Sequence, residues 1–209
     1  MGEYRDVNRL SRIGVMGGTF DPVHYGHLVA AEVARAEFGL SKVIFMPTGR
    51  PPHKQSQILT DAEHRYNMTV LATSSNPGFE VSRMEVDKVG ITYTFDTITE
   101  LKRIYGVDSD IFFITGADAM LELLTWFRIQ DLLVLCRFIA VTRPGFDKEN
   151  LEQKIEEISS KYHGEIICIE VPLLAISSTD IRNRLRSGKP IKYLLPEAVE
   201  KYIGEKGLY

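Results

Sequence analysis

RIGVMGGTFDPVHYGH, residues 12–27, is the stretch that decides the fold. It begins with RIGVM (12–16), an apolar run of strand length, and continues through a glycine-rich turn into a helix start. The apolar stripe of that helix consists of Leu28, Ala31, Ala34 and Phe38. These residues recur at helical spacing. A strand, a tight turn and a helix in this order form the first half of a βαβ unit.

Further apolar runs of strand length follow at intervals. They are KVIFM (42–46), FEVSRM (79–84), DIFFIT (110–115), RFIAVT (137–142) and EIICIEV (165–171). The stretch FEVSRMEVD alternates, which indicates a partly exposed strand. Helical spacing lies between and after the runs, at LEQKIEEISSKY (151–162) and at Val199, Tyr202 and Ile203. This alternation predicts an α/β, doubly wound Rossmann-like domain with a mostly parallel sheet, with ligands at the carboxyl ends of the strands.

Turn and cap signals predict where helices begin and end. Thr60-Asp61-Ala62-Glu63 has the form of a capping box, and Ser178-Thr179-Asp180 opens another helix. Helices are expected to stop at Gly39, Gly106, Gly164 and Gly188. The segment TGRPPHKQSQILT (48–60) has two prolines and no periodicity, which predicts a functional loop.

The composition is that of an ordinary globular chain. Its 209 residues are 44% hydrophobic and 25% charged, which predicts a single domain over 1–209, with 1–10 as a poorly ordered N-terminal extension. A net charge of −3 argues against a general nucleic-acid binder. The sequence has neither a membrane-length apolar stretch nor a signal peptide, which predicts a cytoplasmic protein. Cys136 and Cys168 lie in apolar runs without a CxxC pattern, so we expect two reduced core cysteines.

The turn GGTFDPVHYGH (17–27) carries the strongest chemical signal. Its glycines allow backbone to approach a ligand, and the following helix N-terminus attracts phosphate. The stretch is neither GxGxxG nor a Walker loop. In place of the Walker lysine stand His24 and His27, spaced to share one helical face. They can be ordinary polar side chains or metal ligands, but zinc needs a third ligand at close spacing, which is missing. We therefore expect phosphate handling and no protein-held metal site.

GGTFDPVHYGH resembles the signature of the nucleotidylyltransferase superfamily, whose HxGH element appears as His24-Tyr25-Gly26-His27. A second superfamily element appears as ISSTDIR (176–182). Over nearly its whole length the chain is similar to the bacterial nicotinate-nucleotide adenylyltransferase family. That similarity is carried by RPPHK (50–54), TYTFDT (92–97), GADAM (116–120), TWF (125–127) and VTRPG (141–145). The family joins nicotinate mononucleotide to ATP, giving nicotinate adenine dinucleotide and pyrophosphate on the route to NAD.

The resemblance implies an ATP site built from both motifs. His24, His27 and Arg182 are the expected donors to the phosphates, and Thr19 is expected to orient the attacking phosphate. The further ATP-binding residues implied are Gly17, Gly18, Phe20, Gly26, Gly116, Asp118, Ile176, Ser177, Ser178 and Thr179. Each has a plainer alternative: ISSTDIR can be an N-cap followed by a surface arginine, Thr19 a strand-end hydroxyl and Asp118 a helix cap.

The resemblance also implies a nicotinate mononucleotide site. Arg50 and Lys54 would hold its phosphate, while Trp126, Phe127 and Thr94 would surround the pyridine ring. The helical stretch LELLTWF can instead bury Trp126 in the core, and the family usually has Tyr where Phe127 stands. The roles of two residues stay open. Asp21 can shape the turn, bind a ligand directly or contact a metal, and Arg143 can contact the nucleotide.

The predicted function is adenylyl transfer from ATP to nicotinate mononucleotide, with Mg²⁺ carried on the ATP phosphates. Neither nucleic acid nor membrane is expected as a partner, and the oligomeric state stays open, a homodimer included. A sibling, pantetheine-phosphate adenylyltransferase, shares the first motif but is usually shorter and lacks the TWF and RPPHK elements. A non-catalytic adenine-nucleotide sensor is the alternative of a different class.

Overall fold

The computed structural model describes residues 12–52, 58–143, 147–172 and 175–209. The strands of the described part are β1 (Arg12–Gly18), β2 (Lys42–Pro47), β3 (Phe79–Val81), β4 (Asp110–Gly116), β5 (Arg137–Thr142) and β6 (Ile166–Glu170). The helices are α1 (Tyr25–Glu37), α2 (Ala62–Thr73), α3 (Thr94–Tyr105), α4 (Ala117–Leu121), α5 (Ile129–Leu135), α6 (Lys148–Lys161), α7 (Ser178–Arg186) and α8 (Glu197–Lys206). A short 3₁₀ turn, Leu123–Thr125, follows α4.

The strands form one sheet in the order β3-β2-β1-β4-β5-β6, and every neighbouring pair is parallel. The chain winds outward from β1 in one direction, then returns to β4 and winds in the other. In register, Val15 of β1 pairs with Ile44 on one side and with Phe113 on the other. The predicted doubly wound α/β fold is confirmed. Its strand order reverses between β1 and β4, where such sheets bind ligands.

Alternate side chains of β1 serve two separate cores. Met16 packs into the layer formed with α1, α2, α7 and α8, whereas Ile13 and Val15 pack into the layer formed with α3 to α6. Both faces of the sheet are therefore covered, which explains why the strands are continuous apolar runs without alternation.

The strand predicted over 79–84 is shorter than expected. β3 ends at Val81 on the edge of the sheet, although the amide of Ser82 still donates to Phe45 O at 2.9 Å. The hydroxyl of Ser82 then accepts the amide of Met84, and the chain turns away from the sheet. The alternating pattern therefore belongs to a turn that buries Glu85 at 7% exposure, and not to a longer strand.

Two predicted helix boundaries are wrong by a few residues. α2 is capped by Asp61 and not by Thr60, because the Asp61 carboxylate accepts the amide of Glu63 at 2.8 Å. α6 ends before Gly164, at Lys161. A Cβ at Gly164 would meet the Leu133 side chain, so this glycine is required by packing.

The other boundary signals are confirmed. Gly39, Gly106 and Gly188 follow α1, α3 and α7 with φ angles of 58°, 98° and 64°. Ser178 is the first residue of α7, with Ser177 as its N-cap. Positive φ at a helix end is the conformation that glycine adopts at low cost.

The prediction of two core cysteines is half right. Cys136 is buried, but Cys168 is exposed, because β6 is an edge strand whose Cys168 side is left uncovered. Among the described residues, no helix is long and apolar enough to cross a membrane. The single-domain organisation stays a prediction, and the N-terminal extension over 1–10 lies outside the described residues.

Candidate active site

Two cavities lie at the carboxyl ends of the central strands. The larger, about 570 Å³, is lined by residues that include His24, Gly26, His27, Gly116, Asp118, Arg143, Ile176, Ser177, Ser178 and Thr179. The smaller, about 190 Å³, is lined by residues that include Gly17, Gly18, Thr19, Thr48, Glu85, Thr94, Trp126 and Phe127. Both contain Thr115 and Ala119, so they adjoin at the end of β4.

His24 is the N-cap residue of α1 and is 7% exposed. Burial lowers the pKa of its imidazole to about 4, so the ring is neutral at physiological pH. Its Nδ1 is buried and finds no hydrogen-bond partner among the described residues, which marks a group that a ligand can satisfy. A Cβ at Gly26 would come within 3.0 Å of this ring, and the glycine of the motif therefore makes room for His24.

His27 stacks on His24 one turn into the helix. The amide of His24 donates to His27 Nδ1 at 3.2 Å, which leaves the proton of the neutral ring on Nε2. Burial, followed by the charge of His24, lowers the pKa of His27 well below its usual value. Phe20, only 2% exposed, contacts the His27 ring edge-on at 5.0 Å and so supports it from the core. Neither cavity is lined by Phe20, and its ATP contact stays a prediction.

The two motifs from opposite ends of the chain meet at the start of α7. Ser177 caps the helix by accepting the amide of Asp180, and the hydroxyl of Ser178 donates to Pro22 O at 2.9 Å. Arg182 donates to Asp21 O at 2.7 Å and to Thr179 Oγ1 at 3.2 Å. ISSTDIR is therefore an N-cap whose arginine is held against the first motif. Ser177, Ser178 and Thr179 line the larger cavity, whereas Arg182 lines neither cavity and reaches the site through Thr179. The hydroxyl proton of Ser178 is committed to Pro22.

Asp118 and Arg143 lie on the far wall of the larger cavity. The N-cap of α4 is Gly116, so Asp118 stands in the first turn, exposed, and does not cap the helix. Arg143 is exposed just beyond β5. These positions suit contacts with the sugar and base of a nucleotide whose phosphates face His24 and His27.

Trp126 follows the 3₁₀ turn with an extended backbone, so its predicted place on a helix is wrong. Its amide donates to Leu123 O at 3.0 Å, which closes the turn and ends the helical run. The indole meets Phe113 edge-on at a centroid distance of 5.7 Å, and Phe138 at 6.3 Å. The ring is thus half-buried between the core and the smaller cavity.

Thr94 and Phe127 complete the wall opposite the sheet. Thr94 is the first residue of α3, and Tyr93 is its N-cap. The Phe127 ring, 48% exposed, lies 4.5 Å from the Tyr93 ring. A helix N-terminus presents polarised amides, and with the Thr94 hydroxyl these favour a carboxylate in the smaller cavity.

Of the two residues predicted to contact phosphate from the 48–60 loop, the structure describes only Arg50. Arg50 is exposed and does not line the smaller cavity, whereas Pro51 and Pro52 do. The carbonyl of Arg50 accepts the amide of Thr92 at 3.1 Å, which ties the loop to the approach to α3. Lys54 lies outside the described residues.

Sequence reasoning missed Glu85, a buried carboxylate in the smaller cavity. It accepts the Thr97 hydroxyl at 2.6 Å, and Thr92 and the Gly49 amide also bond to it. Burial raises its pKa. Because these partners come from the β2 loop and from α3, Glu85 fastens two walls of the cavity together. The available signal was the carboxylate in FEVSRMEVD, which the alternating pattern assigned to a partly exposed strand.

Sequence reasoning also missed Arg65 of α2, which is 1% exposed. Its guanidinium donates to Thr19 O at 2.8 Å, Thr48 O at 2.7 Å and Thr60 O at 2.8 Å. A fourth bond reaches Gly49 O at 3.1 Å. One buried arginine thus holds the ends of β1 and β2 in place. A lone arginine in a helical pattern gives no sequence signal for such a role.

The chain matches the cytidylyltransferase-like family over residues 15–184. It is 60% identical over 203 residues to a protein of Moorella thermoacetica, covering 97% of this chain and 94% of that one. A protein of Thermoanaerobacter sp. is 56% identical over the same length, and both are named "Probable nicotinate-nucleotide adenylyltransferase". The chain belongs to the nicotinate-nucleotide adenylyltransferase family. The sequence resemblance is therefore confirmed.

A solved structure supports the fold of this family member. The nicotinic acid mononucleotide adenylyltransferase of Plasmodium falciparum, complexed with NaAD, superposes with a TM-score of 0.77 at 20% identity. The match covers 95% of this chain and 97% of that one. At this identity the likeness concerns the fold alone.

Proposed function

We propose that the protein transfers the adenylyl group of ATP to nicotinate mononucleotide, giving nicotinate adenine dinucleotide and pyrophosphate. The observation that carries this is the pair of adjoining cavities. One contains two neutral imidazoles at a helix N-terminus, and the other contains Trp126 and Thr94. Phosphate-binding donors on one side and an aromatic, carboxylate-favouring pocket on the other suit ATP and a pyridine nucleotide.

The chemistry is an in-line displacement. An oxygen of the acceptor phosphate forms a bond to the α-phosphorus of ATP, and the bond from that phosphorus to the bridging oxygen of pyrophosphate breaks. The attacking group is already an anion, so no protein nucleophile is needed. His24 and His27 would donate to phosphate oxygens as negative charge moves to the leaving group, and Arg182 would add a charge-assisted bond.

The remaining site residues are proposed from their positions. Thr19 and the glycines Gly17 and Gly18 line the smaller cavity beside the junction, where an acceptor phosphate would approach ATP. Asp118, Arg143, Gly116 and the start of α7 would bind the nucleoside and polyphosphate of ATP. Trp126, Phe127 and Thr94 would enclose the pyridine, and Arg50 and Lys54 would attract phosphate from the loop.

Mg²⁺ fits this site when it is bound through the ATP phosphates. Among the described residues, no group of three His, Cys, Asp or Glu side chains is placed to hold a metal ion. Mg²⁺ commonly binds through substrate phosphates and water with few protein ligands. When bound, it would neutralise polyphosphate charge. The side chains that would hold the metal-bearing phosphates are those of His24, His27 and Arg182.

A panel of acceptors with ATP tests the proposal. Pyrophosphate release should be fast with nicotinate mononucleotide and slow with nicotinamide mononucleotide or phosphopantetheine. Preference for phosphopantetheine would reassign the chain to the sibling activity. ATP binding without release of pyrophosphate in the presence of any of the acceptors would make it a sensor. The cytoplasmic location stays a prediction, and the oligomeric state stays open.

A further inference from the structure

Asp21, whose role the sequence left open, has both carboxylate oxygens bonded within the protein. It is 4% exposed. Its Oδ1 accepts the Tyr209 hydroxyl at 2.7 Å, and its Oδ2 accepts the Thr60 amide at 3.4 Å. Its backbone carbonyl accepts Arg182 Nη1 at 2.7 Å. The side chain is therefore engaged in holding the loop, while the main chain carries the arginine.

Tyr209 reaches Asp21 because the chain reverses after α8. Gly207 adopts a left-handed conformation with φ 60°, and the amide of Leu208 donates to Ile203 O at 3.1 Å. Burial, followed by the bond to Asp21, raises the pKa of Tyr209 above its usual value. The phenol thus keeps its proton at physiological pH and stays a donor.

Two cationic side chains lie near the Asp21 carboxylate. Arg65 and Arg182 both face Asp21, and the Thr60 side chain bonds to Tyr209 from the other side. Arg65 also bonds Thr19 O, two residues before Asp21. Asp21 is thus held from α2, from the segment after α8 and from α7 at once.

We propose that Tyr209 is a positioning residue for ATP: its hydroxyl fixes Asp21, whose carbonyl holds the Arg182 guanidinium beside Thr179 at the wall of the larger cavity, within reach of a bound polyphosphate. The inference rests on the proposed function only in taking Arg182 as an ATP ligand. Loss of the phenolic donor would leave the buried Asp21 carboxylate one donor short, and the Asp21 segment would adjust its backbone to satisfy it. The carbonyl that anchors Arg182 would move with that segment.

The test is Tyr209→Phe, which deletes one oxygen and keeps the ring. Tyr202→Phe is the matched control, because the Tyr202 hydroxyl bonds His64 Nδ1 at 2.9 Å, whereas the Tyr209 hydroxyl bonds Asp21. The expected result for Tyr209→Phe is an ATP affinity lowered by about fivefold or more in equilibrium binding, because a loosened anchor costs part of the charge-assisted bond between Arg182 and phosphate. Its KM for nicotinate mononucleotide should change less than about twofold, and Tyr202→Phe should bind ATP like the wild type.

Coupling to Arg182 separates positioning from general loosening. In an Arg182→Ala background, adding Tyr209→Phe should lower the ATP affinity by less than about twofold, because the arginine through which Tyr209 acts is gone. Asp21→Asn is a second variant, and it should also weaken ATP selectively. Wild-type ATP affinity in Tyr209→Phe, or an undiminished effect in the Arg182→Ala background, would overturn the proposal. ATP binding is measured without acceptor, so a failure of the proposed acceptor leaves this test readable.

Discussion

The imidazole rings of His24 and His27 lie stacked, with centroids 3.8 Å apart and planes inclined by 30°. Two cations could not share this position cheaply, and burial already disfavours charge on both rings. The hydrogen bond from the His24 amide to His27 Nδ1 fixes one tautomer of the His27 ring, so its Nε2–H is available as a donor. The arrangement supplies oriented neutral donors before the polyphosphate arrives, which is the form of preorganisation that favours charge transfer to a leaving group.

Replacing either histidine by alanine should therefore reduce kcat by about 10²-fold or more, as loss of a transition-state donor does. His64→Ala is the matched control, since His64 bonds Tyr202 and lines neither cavity. Steady-state pyrophosphate release checks all three variants. Near-normal turnover in a folded His24→Ala, His27→Ala double variant would remove both residues from the mechanism.

The lowered pKa values also predict how stability depends on pH. Between about pH 6.5 and 4 the unfolded chain binds a proton at His24 and the folded chain does not, so stability falls as pH falls. At about 1.4 kcal/mol per pKa unit, the loss from His24 amounts to at most about 3–4 kcal/mol. Urea unfolding of wild type and His24→Asn from pH 8 to 4 measures it. The variant should show a shallower decline, and parallel curves would contradict the pKa assignment.

The strands and most helix boundaries could be predicted because they depend on local signals. Buried parallel strands read as apolar runs, and glycines with positive φ mark helix ends such as Gly39. β3 could not be bounded, since its end depends on the turn through Ser82 and on the buried Glu85. Cys168 was misjudged because an apolar run does not say whether its strand lies at the edge of the sheet.

The site was predicted where short motifs carry the chemistry, as at His24, His27 and Arg182. The residues that hold those motifs escaped prediction because their partners are distant in sequence and are mostly backbone carbonyls. Arg65 contacts segments 5 to 46 residues away, and Tyr209 lies 188 residues from Asp21. Such contacts leave no periodicity or spacing in a single sequence.

Arg182→Ala should chiefly weaken the binding of ATP and of pyrophosphate, by about 1.5–3 kcal/mol, because a charge-assisted bond to phosphate is lost. Arg184→Ala is its control on the same helix, where Arg184 pairs with Asp180 at 2.6 Å on the surface. Binding titrations with ATP and with nicotinate mononucleotide compare the two. A selective loss of acceptor affinity in Arg182→Ala would place α7 against the other substrate.

Gly49→Ala should disturb the acceptor pocket, since a Cβ there would overlap the carbonyl oxygen of Glu85. Because that obstacle is backbone, the loop must shift, and we expect a loss of stability of about 1–3 kcal/mol with a raised KM for nicotinate mononucleotide. Gly204→Ala is the control, because its Cβ meets open space within α8 and should stabilise slightly. Thermal unfolding and KM measurements check both. Wild-type values for Gly49→Ala would show that the loop is not held against Glu85.

The last prediction concerns how the smaller cavity selects an acid over an amide. Thr94 stands at the N-terminus of α3, where hydroxyl and amide donors suit the nicotinate carboxylate and leave the NH₂ of nicotinamide facing donors. A mispaired buried polar group costs about 1–3 kcal/mol, or roughly 5- to 150-fold in discrimination. Thr94→Val should therefore reduce the preference for nicotinate mononucleotide over nicotinamide mononucleotide, measured as the ratio of the two kcat/KM values. Trp126→Ala should raise KM for both about equally, because stacking does not distinguish acid from amide. Thr99→Val, an exposed position on the same helix whose hydroxyl bonds Phe95 O, is the control and should leave the ratio unchanged. An unchanged ratio in Thr94→Val would assign the selection to backbone amides of α3, and a wild-type ratio near one would end the acid-selective interpretation.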